Sequence, residues 1–308
     1  MTIPAATHKI KIRFSGIQEA ELLQVSESTN PAVPDTPNQE HSAVSDRLTK
    51  LPPFHPAAMK LLTISGESET AITEFERAFK SDPALTADLL MVANSAAFGF
   101  RARVDNIRHA LSLLGLERVR SLGFTIAMSM YVRNVPNKDD VRAVWAHSTA
   151  AAVIADVLGR IYSSQALYTA GLVHDLGRLG LLLSVGKKYG EVLHNEFADM
   201  PESMKLEKVL FGVTHCEAGA LVSRTWGFPD TLQYSMANHH EAYTPENGTA
   251  PDLIRTACQM ADWLGFPEVK RQDADAAPAL PPKLRNHPDL DPDRLRGLIS
   301  KQIETMGT

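Results

Sequence analysis

Residues 171–180 read Gly-Leu-Val-His-Asp-Leu-Gly-Arg-Leu-Gly, inside an apolar run from Ala166 to Leu183. His174 and Asp175 stand side by side in that run. An adjacent imidazole and carboxylate on a buried helix are costly to desolvate unless something pairs with them. A divalent metal ion is one such partner, because neutral imidazole and carboxylate are ordinary ligands for borderline and hard metals. Matching polar residues occur in similarly apolar settings at His147, His215, the pair His239–His240 and Asp262. Distributed over separate helices, this is how a helical bundle assembles a metal site from inward side chains.

Working outward from that stretch, the periodicity is helical from Leu51 onward. Ser81-Asp82-Pro83 offers N-cap candidates followed by Pro in the first turn, and opens a helix over Ala84–Ser95. Helices are further predicted over 56–64, 107–114, 117–132 and 141–161. Others follow over 191–210, from His215 to Trp226, from Thr231 into His239, and over 253–264. Gly227-Phe228-Pro229 is a stop signal. Trp145, Trp226 and Trp263 fall on core stripes, and Asn94 and Ser95 read as a cap or as a polar contact between two halves. Cys216 reads as a small buried helix residue, with ligation or redox sensitivity as the other reading. Upstream, Lys9–Phe14 alternate polar and apolar residues, a strand period, and with Ile17–Val25 suggest a small β-hairpin. Ser26–Ser45 has linker composition, as does Gln272–Pro288, after which an amphipathic helix starts at Asp291-Pro292.

The 308 residues carry a formal charge of −5, with 44% hydrophobic and 22% charged side chains. Such a balance gives no global field toward nucleic acid or an anionic membrane. The longest uncharged apolar stretch, about Ser121–Val132, is too short to span a bilayer. The N-terminus has no signal-peptide pattern, and Cys216 and Cys258 form no C-x-x-C pair, so a reduced cytoplasmic setting is expected. Two short helices around Gly115 raise the question of a helix-turn-helix, since residues 101–120 hold five Arg against Asp105 and Glu117. No base-reading recognition helix accompanies them, and an Arg-decorated solvent face is the expected reading.

Residues 51–265 carry an ordered series of phrases: Leu51-Pro52-Pro53, SDPALTADLLMVANSAAFG, IRHALSLLGLERVRSL, GLVHDLGRL, FGVTHCEAGALVSRTWGFP and His239-His240. In that order they resemble the HDOD family (HD-related output domain), itself similar to the HD phosphohydrolases and the HD-GYP cyclic-dinucleotide phosphodiesterases. The resemblance implies an all-α fold, with an HDOD domain at 49–268 split into helical subdomains 49–136 and 137–268. Extensions would flank it at 1–48 and 269–308. It also implies a site in which His147, His174, Asp175, His215, His239, His240 and Asp262 hold Fe, Mn or Zn. Seven such donors suffice for two ions with Asp175 as a natural bridge. The other reading is a polar core without metal in which the histidines hydrogen-bond among themselves. Arg178 would bind phosphate or another ligand. The chain departs from HD-GYP proteins where His240 continues into EAYTPENGTAPD without Gly-Tyr-Pro, and in having Arg178 where Lys is usual. Cyclic-dinucleotide hydrolysis is therefore not implied. The resemblance implies instead a non-enzymatic module of bacterial signalling that binds signalling proteins or a small ligand such as a nucleotide or phosphate. The alternative is a metal-dependent phosphohydrolase or phosphodiesterase. Membrane and nucleic acid are not expected partners.

Overall fold

The computed structural model describes residues 36–95, 98–133, 138–164, 167–241 and 248–306. The expected hairpin over 9–25, the expected Ser26–Asp35 part of the linker, and the boundary at 136/137 lie outside the described residues. The fold is all-helical, with only two short strands among the described residues.

Five helices build the first half: α2 (Pro56–Thr63), α3 (Ala71–Lys80), α4 (Pro83–Ala93), α5 (Ile107–Leu114) and α6 (Leu116–Val132). The start of α4 follows its sequence signal, since the Asp82 carboxylate accepts from the Leu85 N–H at 2.8 Å with Pro83 in the first turn. Asn94 closes α4 and clasps the next strand of chain, accepting from Val104 N–H and donating to the Val104 carbonyl. Its contacts therefore stay within the first half. Gly115, at φ +81°, separates α5 from α6.

The second half begins with α7 (Lys138–Tyr162), the long core helix, followed by α8 (Leu167–Val173) and α9 (Leu176–Val185). Length and composition would let α7 cross a membrane, but 72% of its most apolar window is buried inside the protein. The predicted helix over 191–210 is instead α10 (Lys187–Leu193), β1 (Glu196–Phe197) and α11 (Met200–Phe211). The break is local chemistry: Asp199 caps α11 by accepting from Glu202 N–H, with Pro201 in the first turn. Then come α12 (His215–Trp226), α13 (Asp230–Asn238) and α14 (Ala250–Trp263). Thr214 and Glu217 form a reciprocal capping box on α12, and Gly227 ends it in the left-handed region.

Both terminal segments differ from the linkers that their composition predicts. Thr36–Thr49 is a helix, α1, whose Val44 and Leu48 are buried against α9, α11 and α12. Its apolar signal is only those two residues four apart, so packing rather than propensity decides it. After α14, β2 (Lys270–Arg271) pairs in parallel with β1, and Leu284 within the Pro-rich stretch is buried. The last helix, α15 (Pro292–Met306), lies on α7 and α6 and donates from Arg296 to the Leu264 carbonyl.

One apolar core runs through both halves, and an aromatic seam fastens them. Phe54 stacks on Trp226 at 5.6 Å and touches Phe124 at 5.1 Å and Phe228 at 5.9 Å. A second cluster joins α7, α8, α14 and α15 through residues such as Ile154, Leu158, Ile254 and Ile299. Between the halves, beside α15, lies a cleft of about 1110 Å³, lined by Arg118, Arg160, Tyr168, Arg294 and Gln302 among others. Of the five Arg in 101–120, Arg108 pairs with Glu76, Arg120 donates to the Leu61 and Ile64 carbonyls, and Arg118 lies over the Phe98 ring. They do not form one basic recognition face.

Candidate metal centre

Two glycines decide how closely the site helices approach. A Cβ on Gly171 would lie 2.8 Å from the Ala151 carbonyl oxygen and 2.9 Å from the Ala152 Cα, so α8 packs directly on α7. This brings His174, at the end of α8, against His147 on α7. A Cβ on Gly177 would lie 1.8 Å from the His215 carbonyl oxygen and 2.5 Å from the Gly219 nitrogen. The backbones of α9 and α12 are thus in contact, which sets His215 beside Asp175.

Asp175 is the centre, and each of its carboxylate oxygens faces its own pair of imidazoles. Oδ2 lies 3.7 Å from His147 Nε2 and 3.5 Å from His174 Nε2, which are 3.2 Å from each other. Oδ1 lies 3.5 Å from His215 Nε2 and 3.4 Å from His239 Nε2. Ligand atoms about 2.1 Å from a tetrahedral metal are about 3.4 Å apart, so both groups have the spacing of a coordination shell.

The opposite ring nitrogens fix the tautomers. Nδ1 of His174 donates to the Gly171 carbonyl at 2.6 Å, and Nδ1 of His239 to the Met236 carbonyl at 2.8 Å. Nδ1 of His215 donates to Glu207 Oε2 at 2.8 Å. Nδ1 of His147 faces the Phe266 carbonyl at 2.9 Å, Glu268 Oε2 at 2.8 Å and Asp262 Oδ1 at 3.2 Å. In its neutral form, an imidazole so held presents an Nε2 lone pair toward Asp175, itself an acceptor. Nε2 of His215, His239 and His240 and Oδ1 of Asp175 have no hydrogen-bond partner, although all are buried. Acceptors facing acceptors in a dry interior call for a cation, and this donor set fits a divalent metal.

Charge points the same way. Four buried carboxylates, Asp175, Glu207, Asp262 and Glu268, surround two guanidiniums, Arg178 and Arg271. Burial alone would raise the Asp175 pKa, but Arg178, His174 and His215 hold it well below the usual carboxylate range. Burial and the neighbouring His239 and His147 push His174 down to about 3, leaving it neutral. Burial would lower His215 too, but Cys216, Glu207 and Asp175 carry it up to about 9. Burial and the Glu268 charge raise Asp262 to about 6, while His147 and Arg178 outweigh burial and hold Glu268 low. The excess negative charge draws a proton onto His215 and would equally draw a metal cation.

The structure brings His147, His174, Asp175, His215 and His239 together, all buried, with His240 half-buried against His239 at a ring distance of 4.1 Å. Asp262, expected as a ligand, stands behind His147 and is bonded to Arg271. Arg178, expected to meet phosphate, is fully buried. Its guanidinium contacts Asp175, Glu207, Tyr189, Met200 and Glu268, so it braces the centre from inside the protein. Glu207 and Glu268 also belong to this cluster, and the sequence reading did not single them out. Glu207 had a signal, being a charged residue on the apolar stripe Met200, Ser203, Leu206, Phe211 of α11. Glu268 follows Pro267, where the composition turns to linker, and carries none.

The family model of the HDOD domain matches residues 51–242. The chain belongs to the HDOD domain family. Its fold is that of an HDOD domain protein of unknown function from Geobacter sulfurreducens, with a TM-score of 0.64 and 21% identity over 87% of this chain and 94% of that one. A candidate phosphohydrolase from Shewanella amazonensis SB2B aligns with a TM-score of 0.60 and 22% identity, covering 86% of this chain and 97% of that one. A candidate signal transduction protein from Marinobacter aquaeolei VT8 aligns with a TM-score of 0.62 and 19% identity, covering 87% and 67%. Among curated proteins, an uncharacterized protein of Treponema pallidum (strain Nichols) is 21% identical over 210 residues, 67% of this chain and 40% of its own length. This HDOD chain therefore spans less than half of that relative.

Proposed function

We propose that this HDOD protein is a cytoplasmic bacterial signalling module that acts by binding other signalling proteins or a small ligand, and that a divalent metal at Asp175 serves its conformation rather than turnover. Enclosure carries this reading. His147, Asp175 and His239 are at most 1% exposed, and the cavity that touches Asp175, about 20 Å³ or room for about one water, lies on its apolar side and is lined by none of the histidines. A phosphodiester needs far more space. The large cleft between the halves shares no lining residue with the centre.

Within this reading the histidines hold the ion, Glu207 and Glu268 orient two of them, and Arg178 offsets the surrounding carboxylates. A bound divalent ion supplies charge neutralisation and, where water reaches it, polarisation of that water. Fe, Mn and Zn all suit imidazole and carboxylate donors. Binding would tie α7, α8, α9, α12 and α13 at one point, so metal occupancy would set the shape of the surface those helices present.

A phosphohydrolase remains the second reading, because each Asp175 oxygen faces its own imidazole pair, the layout of a bridged two-metal site. Full-length protein loaded with Mn²⁺, Fe²⁺ or Zn²⁺ and offered phosphodiesters, cyclic dinucleotides included, separates the two. The signalling reading predicts no turnover above the Asp175→Asn background. Turnover abolished by Asp175→Asn would replace it with the hydrolase.

A further inference from the structure

We propose that His215, Cys216, His239 and His240 form a thiolate-containing metal position that selects zinc, with Cys216 Sγ as a direct ligand. This deepens, and rests on, the reading of the cluster as a metal centre. One ligand atom from each of the four residues lies within 4.8 Å of those of the others. His215 and Cys216 are the first two residues of α12, fixed there by the Thr214–Glu217 capping box. His239 is the C-cap of α13, and His240 follows it. Two adjacent pairs from two packed helix ends thus supply four donors, the number a tetrahedral zinc site uses.

The donors are also free to ligate. Nε2 of His215, His239 and His240 are buried without a hydrogen-bond partner. Glu207 occupies Nδ1 of His215, leaving Nε2 as that ring's donor. Cys216 is buried, and its Sγ has a long contact, 3.9 Å to His239 Nδ1, which a metal would replace. Zinc entry displaces the thiol proton to solvent and leaves the sulfur at its oxidation level. A dication with one thiolate keeps one positive charge, which Asp175 Oδ1, beside His215 and His239, balances.

Sulfur sets the selectivity. Thiolate is a poor donor for manganese and magnesium and a good one for zinc. The other thiol, Cys258, shares a candidate set with only His147 and His174, one donor short of a closed tetrahedron.

Co²⁺ titrated into metal-stripped full-length protein tests the assignment. The wild type and Cys258→Ser are expected to develop a sulfur-to-cobalt charge-transfer band together with intense tetrahedral visible bands, both bleached by zinc. Cys216→Ser, folded by circular dichroism, is expected to lack the charge-transfer band and to bind zinc on the order of 100-fold more weakly, while manganese binding changes little. X-ray absorption on zinc-loaded wild type reads the same ligand without a variant, as one sulfur at about 2.3 Å. Cobalt bound with no thiolate band, or a band lost in Cys258→Ser instead, would overturn the Cys216 assignment and leave the metal-centre reading standing. No binding of cobalt or zinc would overturn both. A thiolate band that survives Asp175→Asn would confine the failure to the Asp175 position.

Discussion

Gly177→Ala decides whether backbone contact between α9 and α12 holds the centre together. Gly177 is the second residue of α9, and Ala is favoured over Gly in a helix by up to about 1 kcal/mol, so propensity alone predicts stabilisation. The structure predicts the opposite. The new Cβ would sit 1.8 Å from the His215 carbonyl oxygen, and about 1.2 Å of separation is needed to reach the 3.0 Å that real Cβ atoms respect. The obstacles are backbone atoms of His215 and Gly219, which cannot rotate away. Overpacking of a well-filled core costs about 1–3 kcal/mol, and the rigid obstruction places this case at the upper end. Set against the propensity gain, the net loss of about 2 kcal/mol corresponds to a melting temperature lower by about 4–8 °C for a domain of this size. The same displacement carries His215 away from Asp175 Oδ1, now 3.5 Å from its Nε2, so metal retention falls with stability. Urea and thermal unfolding with bound-metal analysis of the purified variant are the assays. A variant as stable as wild type, or more so, would refute the argument.

Arg178→Met strands three buried carboxylates, Asp175, Glu207 and Glu268, and should cost about 3–5 kcal/mol in urea unfolding. Arg178→Lys should rescue little of it, since one ammonium cannot serve partners arranged around a planar fork. Glu207→Gln should leave the chain folded by circular dichroism but weaken metal binding by about 10–100-fold in a chelator competition, because it loosens the tautomer of His215. A chelator should lower the thermal midpoint of metal-loaded wild type, by the equivalent of about 2.7 kcal/mol where free metal stood at 100 times Kd. Deleting α15 removes the buried Leu295 and Ile299 and uncovers the apolar cluster they share with α7, Ile154 and Leu158 included, so it should destabilise the domain by several kcal/mol rather than leave it unchanged, as removal of a flexible tail would.

Much of the site is legible because its residues break local rules. His147, His174, Asp175, His215 and His239 are polar groups on apolar helix faces, and no packing argument places them there without a partner. Asp262 obeys the same signal, yet its partners are the Nδ1 side of His147 and Arg271 rather than the centre. Spacing along a chain fixes the helix face of a residue, not the side of a ring it meets. Arg178 reads as a ligand-binding cation only until its five protein partners are known, and four of these come from α10, α11 and the segment after α14. Sequence separation hides such contacts. The same holds for α1, whose Val44 and Leu48 gain their meaning from helices more than a hundred residues later. Glu268 illustrates the limit most plainly, since a single carboxylate at the start of a Pro-rich stretch closes the centre from outside the matched family region. The HDOD assignment, by contrast, rests on an ordered series of phrases long enough that no single substitution would obscure it.

The most direct measurement is the metal content, by plasma mass spectrometry, of full-length protein purified without chelator, for wild type and Asp175→Asn. The account predicts near-stoichiometric Zn, Fe or Mn in the wild type, and a large loss in a variant whose circular dichroism is unchanged. Wild-type protein that is folded, yet holds no metal even after reconstitution with each of the three ions, would contradict it.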